Sequence, residues 1–292
     1  MSQERYSEYL YFTISQDSNQ SAQEIVTQYQ LDQMQGELNF WDKNQLNDEH
    51  THKFEKICIR FEIGDVEYLG DFSQQIFYWL HLFKRKTKVQ SLSGDFTKSL
   101  HLVIHGTNSQ NSGFHLNHQL IRVLNELSIE FSLHSYWDAE DGQDFPFSTP
   151  VIQTQPTPKF DEYAYFEIRA DELDTKELQQ LLPVLNLTTK LDQGKNPRSQ
   201  RVLPNSTTSI LELKSTLNAE HNVLEQHIQN ILKKLIPYQS ELQRLFFNGK
   251  INLSIKATGH LENPHHRRIS AQTIQQLFAL GLSLDVDYYF AS

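Results

Sequence analysis

Laid on its own N-terminal half at an offset of about 153, the C-terminal half of this chain reproduces one structural signal after another, as an internal duplication does. Glu8-Tyr9-Leu10-Tyr11-Phe12-Thr13-Ile14 matches Glu162-Tyr163-Ala164-Tyr165-Phe166-Glu167-Ile168, and both alternate with the period of a half-buried strand. Ser21 with Glu24, and Asp174 with Glu177, each place a cap oxygen three residues before a Glu that can return to the cap's own N–H, so each starts a helix. The stripe Phe72, Ile76, Leu80, Phe83 matches Leu224, Ile228, Leu232, Leu235, an apolar helix face. Leu100, Leu102 and Ile104 align with Ile251, Leu253 and Ile255. Asn117 and Ser270 then cap a last helix in each half, and Ile129–Tyr136 pairs with Leu282–Tyr289 as the closing strand.

With two further strands, Lys56–Ile63 and Ile210–Leu217, each half reads β-α-β-α-β-α-β. The expected fold is therefore α+β, two tandem repeats, each a four-stranded sheet with three helices mainly on one face. Residues 1–137 form the first repeat and 162–292 the second. The segment 138–161 between them holds Pro146, Pro150, Pro156 and Pro158 with scattered Thr and Gln, a linker composition. Pro183 is expected to end its helix early.

Charge divides the halves. Residues 1–150 hold 21 acidic against 11 basic side chains, the whole net charge of −10, whereas the rest of the chain is neutral. Such a balance disfavours nucleic acid, whose binding depends on Lys and Arg displacing counterions, and a one-sided acidic field steers a basic partner or serves solubility. The single Cys58 excludes an intrachain disulfide, and the opening residues lack the basic-then-apolar pattern of a secretory leader. The expected compartment is a reducing cytoplasm. No stretch approaches the ~18 consecutive apolar residues of a membrane span, so no membrane partner is expected.

Strand alternation also fixes what the sheets display opposite their helices. The first half presents Tyr9, Tyr11, Thr13, Cys58, Arg60, Glu62, His101, His105, Ser132, His134 and Tyr136; the second presents Tyr163, Tyr165, Glu167, Glu212, Lys214, Asn252, Ser254, Lys256, Asp285, Asp287 and Tyr289. Tyrosines among mixed charges suit recognition, because Tyr brings apolar area at low entropy cost together with a hydrogen-bonding tip. Two other readings are open: solvated cross-strand pairs, or polar faces packed on each other about a pseudo-twofold axis. Phe77, Tyr78 and Trp79 widen the helix around Phe72–Phe83 beyond one buried stripe, which suggests an added contact. Asp138, Glu140 and Asp141 open the linker and complete the candidate partner-binding set.

Signals for catalysis are sparse. Asp285 and Asp287 lie on one face of a strand, about 6.5–7 Å apart, and could divide acid and base roles with Lys256 or Tyr165 nearby. Their equivalents, Ser132 and His134, could not. His115 with His118 flank a helix start as solvated or capping residues, and no thiolate cluster or three-ligand spacing specifies a metal. His265-His266-Arg267-Arg268 reads as a loop before a helix N-terminus. Phosphate-loop, zincin and nucleophile-elbow motifs are missing, and Cys58, between Ile57 and Ile59, reads as structural. No cofactor is expected.

The Tyr-x-Tyr-Phe-x-Ile strand at 163–168, the capped helix after it, and the ending Leu-Gly-Leu-Ser-Leu-Asp-Val-Asp-Tyr-Tyr at 280–289 resemble the bacterial family known as domain of unknown function 4279. The resemblance spans the second half; the first departs from it at Ser132 and His134. It implies the fold and carries over no catalytic residues. By analogy with small acidic α+β antitoxins, the leading expectation is a non-catalytic protein-binding module, an immunity protein that neutralises a basic toxin. The alternatives are a hydrolase using Asp285 and Asp287, or a structural, self-associating domain.

Overall fold

The structure, a computed structural model, describes residues 7–34, 38–45, 54–65, 72–92, 94–106, 112–137, 162–171, 173–183, 185–196, 199, 207–219, 222–247, 249, 251–261 and 265–290. The segment 138–161, with Asp138, Glu140 and Asp141, lies outside the described residues. From the N-terminus run β1 (Ser7–Gln16), α1 (Ala22–Gln28), β2 (Leu38–Trp41), β3 (Ile57–Asp65), α2 (Phe72–Lys86), β4 (Phe96–Gly106), β5 (Ser112–Leu116), α3 (His118–Leu127) and β6 (Ile129–Trp137). The second half runs β7 (Tyr163–Asp171), α4 (Thr175–Leu181), β8 (Thr188–Leu191), β9 (Thr208–Lys214), α5 (Leu224–Leu235), α6 (Gln239–Phe247), β10 (Ile251–Leu261), β11 (His265–Ile269), α7 (Ala271–Leu280) and β12 (Ser283–Phe290).

Local chemistry explains these boundaries. Ser21 and Asp174 both close reciprocal capping boxes with Glu24 and Glu177, while Asn117 and Ser270 accept from the backbone N–H groups of Leu120 and Thr273. α4 stops at Leu181, two residues before Pro183, as the ring requires. Leu10, Phe12 and Ile14 of β1 and Ile57, Ile59 and Phe61 of β3 are buried, and α2 lays Ile76, Leu80 and Phe83 on them, with the Phe83 ring 5.2 Å from Phe12 and 5.1 Å from Phe61. Phe166 and Ile168 meet Ile228, Leu232 and Leu235 in the same layer of the second half. Each such side chain contributes roughly 1.5–3 kcal/mol by leaving water. The buried residues of both halves join in one cluster.

Each sheet has six strands, in the orders β11-β6-β4-β1-β3-β2 and β5-β12-β10-β7-β9-β8. Five consecutive strands of each sheet come from one half, in corresponding order, and the sixth comes from the other half. β5 pairs antiparallel with β12, and β11 pairs antiparallel with β6, so the halves exchange edge strands reciprocally. α3 packs against α7 across the same seam.

The four-strand expectation is corrected here, and so is the order β-α-β-α-β-α-β. Residues 7–137 run β-α-β-β-α-β-β-α-β, and the second half repeats that order with α6 added after α5. β2 and β8 have only four residues each, too few for alternation to register. β11 is His-His-Arg-Arg-Ile, a composition that reads as a solvated loop; it is a strand because buried Arg267 meets the buried carboxylate of Glu162. The second-half strand expected over Ile210–Leu217 is shifted to Thr208–Lys214, and the one expected over Lys56–Ile63 becomes Ile57–Asp65.

Candidate functional site

With the helices on the apolar side, the opposite face of each sheet carries most of the polar residues of the alternation, with Val103 and Ile210 buried among them. In the first sheet Tyr11 lies opposite His101 of β4 and Glu62 of β3. Its ring stacks on His101, with centroids 4.4 Å apart and planes 8° from parallel, and the Arg60 guanidinium lies 3.9 Å from the ring centroid. Arg60 also pairs with Glu62 at 2.5 Å. His101 continues the chain of contacts, its Nε2 2.9 Å from Thr13 Oγ1 and its Nδ1 2.9 Å from His134 Nε2 on β6. At the seam Arg268 of the exchanged strand β11 donates through Nε to Glu130 at 2.8 Å, and Ser99 donates to the same carboxylate at 2.6 Å.

The second sheet repeats the plan with different charges. Glu167 and Glu212 face each other across β7 and β9, a repulsive placement on its own. Lys190 of β8 resolves it, 2.7 Å from Glu212 and 3.5 Å from Glu167, with its ammonium 4.9 Å from the Tyr165 ring centroid. Burial would lower the Lys190 pKa, but Glu212, Tyr165 and Glu167 together hold it above the usual lysine range. Burial also pushes the Tyr165 phenol up. Across the sheet, Asp285 is held by Lys256 at 2.5 Å and by His115 Nδ1 of the exchanged strand β5. Burial acts to raise the Asp285 pKa, and the His115 and Lys256 contacts outweigh it, so the carboxyl sits below the ordinary aspartate range. Each open face is therefore completed by a charged or ionisable side chain that the other half supplies.

Tyr11, His134, Tyr165 and Asp285 come together in these networks, and Tyr163 stands exposed beside Tyr165, ring centroids 6.4 Å apart. Asp287 is exposed on β12. Tyr9, Tyr136 and Tyr289 lie on β1, β6 and β12, with side chains outside the described set. Phe77, Tyr78 and Trp79 belong to the other side of the molecule. Trp79 packs on Phe12, Phe61 and Phe83, Phe77 is half-buried against the core, and only Tyr78 projects, 72% exposed. Among the described residues the halves meet chiefly through α3 against α7 and through the exchanged strands, with no extensive contact between the two open faces.

The sequence pattern marks Lys190 only weakly, and His115, next to a helix start, reads as a capping or solvated residue. Lys190 alternates with Thr188 in a short Thr- and Leu-containing run bounded by Asp192-Gln193-Gly194, which is a strand-and-turn signal. His115 stands between buried Phe114 and Leu116, an alternation that marks an edge strand. Burial pushes the Cys58 thiol up to about 11 despite Arg60, which suits a structural cysteine. A cleft of about 630 Å³ opens beside His115, where Arg169, Asn252 and Ser283 of the second sheet meet His118 at the start of α3.

Two six-stranded sheets, each with helices on one face and a braced polar and aromatic surface on the other, define an α+β protein. Residues 159–291, from just before β7 through β12, match the family model described as domain of unknown function DUF4279. No curated protein matches the chain.

Proposed function

We propose that this is a non-catalytic binding protein that receives a protein partner on the open sheet faces, as an immunity protein receives its toxin. The carrying observation is the braced aromatic surface: Tyr11 held against His101 and Arg60, and Tyr165 beneath Lys190 with Tyr163 exposed beside it. Aromatic anchors fixed before encounter lose little entropy on binding, and anchors of this type dominate interface energetics. The excess acidity of residues 1–150 supports a basic partner, one that an immunity protein in the bacterial cytoplasm would meet as a cationic toxin. Corresponding strand orders and matched caps support descent of the two halves from one duplicated unit, each half displaying different charges on a shared scaffold.

Co-purification with the product of the neighbouring gene, at low and high salt, tests this reading. The expected outcome is a complex that weakens with salt and with Tyr11→Ala or Tyr165→Ala while the fold persists. The absence of a complex in either condition, with no rescue from that product's toxicity, removes the proposal.

The pairing of His115 with Asp285 at the edge of the cleft favours a second reading, acid–base catalysis. In that reading Asp285, held ionised by Lys256, orients the His115 ring instead of sharing a proton with Asp287. Equal biological activity in Asp285→Asn and in the parent excludes it.

A further inference from the structure

The cleft at the seam differs from the corresponding corner of the first sheet. Strand order and register fix the correspondence: Thr13 faces Ser99 and Ser99 faces Glu130 in the first sheet, as Glu167 faces Ser254 and Ser254 faces Ser283 in the second. In the first sheet the cation of this corner has its carboxylate built in, since Glu130 takes both Arg268 and Ser99. In the second sheet Ser283 stands in the place of Glu130. Further along the same face, Arg169 and Asn252 stand directly opposite each other where the first sheet has Ser15 and Thr97. Relative to the first sheet, this corner has gained a cation and lost an acid.

Arg169 and Asn252 are exposed in the cleft, and neither side chain has a hydrogen-bond or ion-pair partner among the described residues. The acids around them are already engaged. Lys190 holds Glu167 and Glu212, Lys256 and His115 hold Asp285, and the Thr208 hydroxyl donates to Asp171 at 2.5 Å. On the cleft wall the His118 ring lies with its centroid 4.3 Å from that of Phe246 and stacks on Phe278 behind, which makes an aromatic surface. Burial, and then Arg122, hold the His118 pKa below the usual histidine range, so near neutral pH the ring offers apolar area and no charge. A volume of about 630 Å³ is that of a small-molecule site. The guanidinium fork, with an amide beside it, matches the planar geometry of a carboxylate.

We propose that this cleft binds a small organic monocarboxylate, with the carboxylate on Arg169 and Asn252 and an aromatic or apolar body against Phe246 and the His118 ring. A single free cation among engaged acids balances one negative charge, whereas a phosphate dianion would meet the surrounding carboxylates as like charge. Both halves build the site, because His118 arrives with α3 and Arg169 with β7. The inference is independent of the partner-binding and acid–base readings, and binding without turnover satisfies it.

Ligand-observed NMR titration of the full chain with phenylacetate tests it, with phenylacetamide as the neutral isostere. Phenylacetate is expected to bind saturably and the amide at least about 10-fold more weakly, the loss that follows when a charge-assisted hydrogen bond becomes a neutral one. Arg169→Gln should weaken phenylacetate by more than about 10-fold. It should leave the urea midpoint unchanged, because the exposed Arg169 side chain has no partner to lose among the described residues. Asn252→Ala should weaken binding by a smaller factor. Lys88→Gln, which removes the same charge from an exposed position of the first half, should leave it unchanged. Failure of the parent to bind phenylacetate saturably overturns the proposal. So does equal binding of the amide, undiminished binding in Arg169→Gln, or tighter binding of inorganic phosphate than of phenylacetate.

Discussion

Gly281 and Ser128 occupy corresponding places after α7 and α3, and both adopt the left-handed conformation, with φ 69° and 53°. They are not interchangeable. A Cβ on Gly281 would come within 3.0 Å of the Phe246 ring of α6, an element the first half lacks. Gly281→Ala therefore combines the left-handed cost of about 1–2 kcal/mol with a steric clash. Ser128→Gly should be neutral or slightly stabilising. Urea midpoints of the two variants check the asymmetry. Lys190 allows a second test at this scale. Lys190→Met leaves Glu167 and Glu212 opposed without their cation and should cost about 1–3 kcal/mol, in the range for an unsatisfied buried acceptor. Adding Glu212→Gln should recover much of that loss in the same assay.

Asp285 supplies the pH dependence. Its folded pKa lies below its unfolded value, so its stabilisation is present above the ordinary aspartate range and is lost as the pH falls through the folded value. Asp285→Asn should thus be less stable than the parent near neutral pH, with the gap closing as the pH drops below about 4. A gap that stays constant across the acid limb of the urea midpoints would contradict this.

At the scale of elements, β11 shows both what sequence conveys and where it stops. The caps at Ser21, Asn117, Asp174 and Ser270 and the apolar stripe of α5 were legible because each depends on residues within one or two turns of each other. The open faces were legible in part, since alternation along β1 and β7 does not depend on what lies beside them. β11 was not legible, because its polarity is compensated by residues far away in sequence. Arg267 reaches buried Glu162, whose other oxygen accepts from the N–H of Leu224 at the start of α5, while Arg268 reaches Glu130 in the first sheet. The Glu162 pKa is raised by burial in spite of Arg267. Arg267→Met then strands a carboxylate in the interior and should cost about 3–5 kcal/mol, whereas Glu162→Gln with Arg267→Met should cost much less. Denaturation of the single and double variants decides this, and a purely additive pair would contradict the assigned ion pair.

For the whole molecule, exchange of β5 and β11 changes what the two halves are to each other. Chains built from two units with separate cores often unfold in two steps. Here each six-stranded sheet is incomplete without a strand from the other half, and the buried residues form one cluster across the seam. Removing either half exposes a strand edge and the α3–α7 contact, so neither half retains its sheet when the other unfolds. The chain carries its own reporter for this. Its three tryptophans, Trp41, Trp79 and Trp137, all lie in the first half, so their fluorescence follows that half, whereas far-ultraviolet circular dichroism follows both. The two signals should trace one coincident transition in urea. The stronger test places the perturbation in the half that fluorescence does not see. Gly281→Ala lies at the end of α7, and its destabilisation should lower the tryptophan midpoint by as much as the dichroism midpoint. A dichroism curve that splits, with the tryptophan transition left in place, would mean that the exchanged strands join two independently stable units.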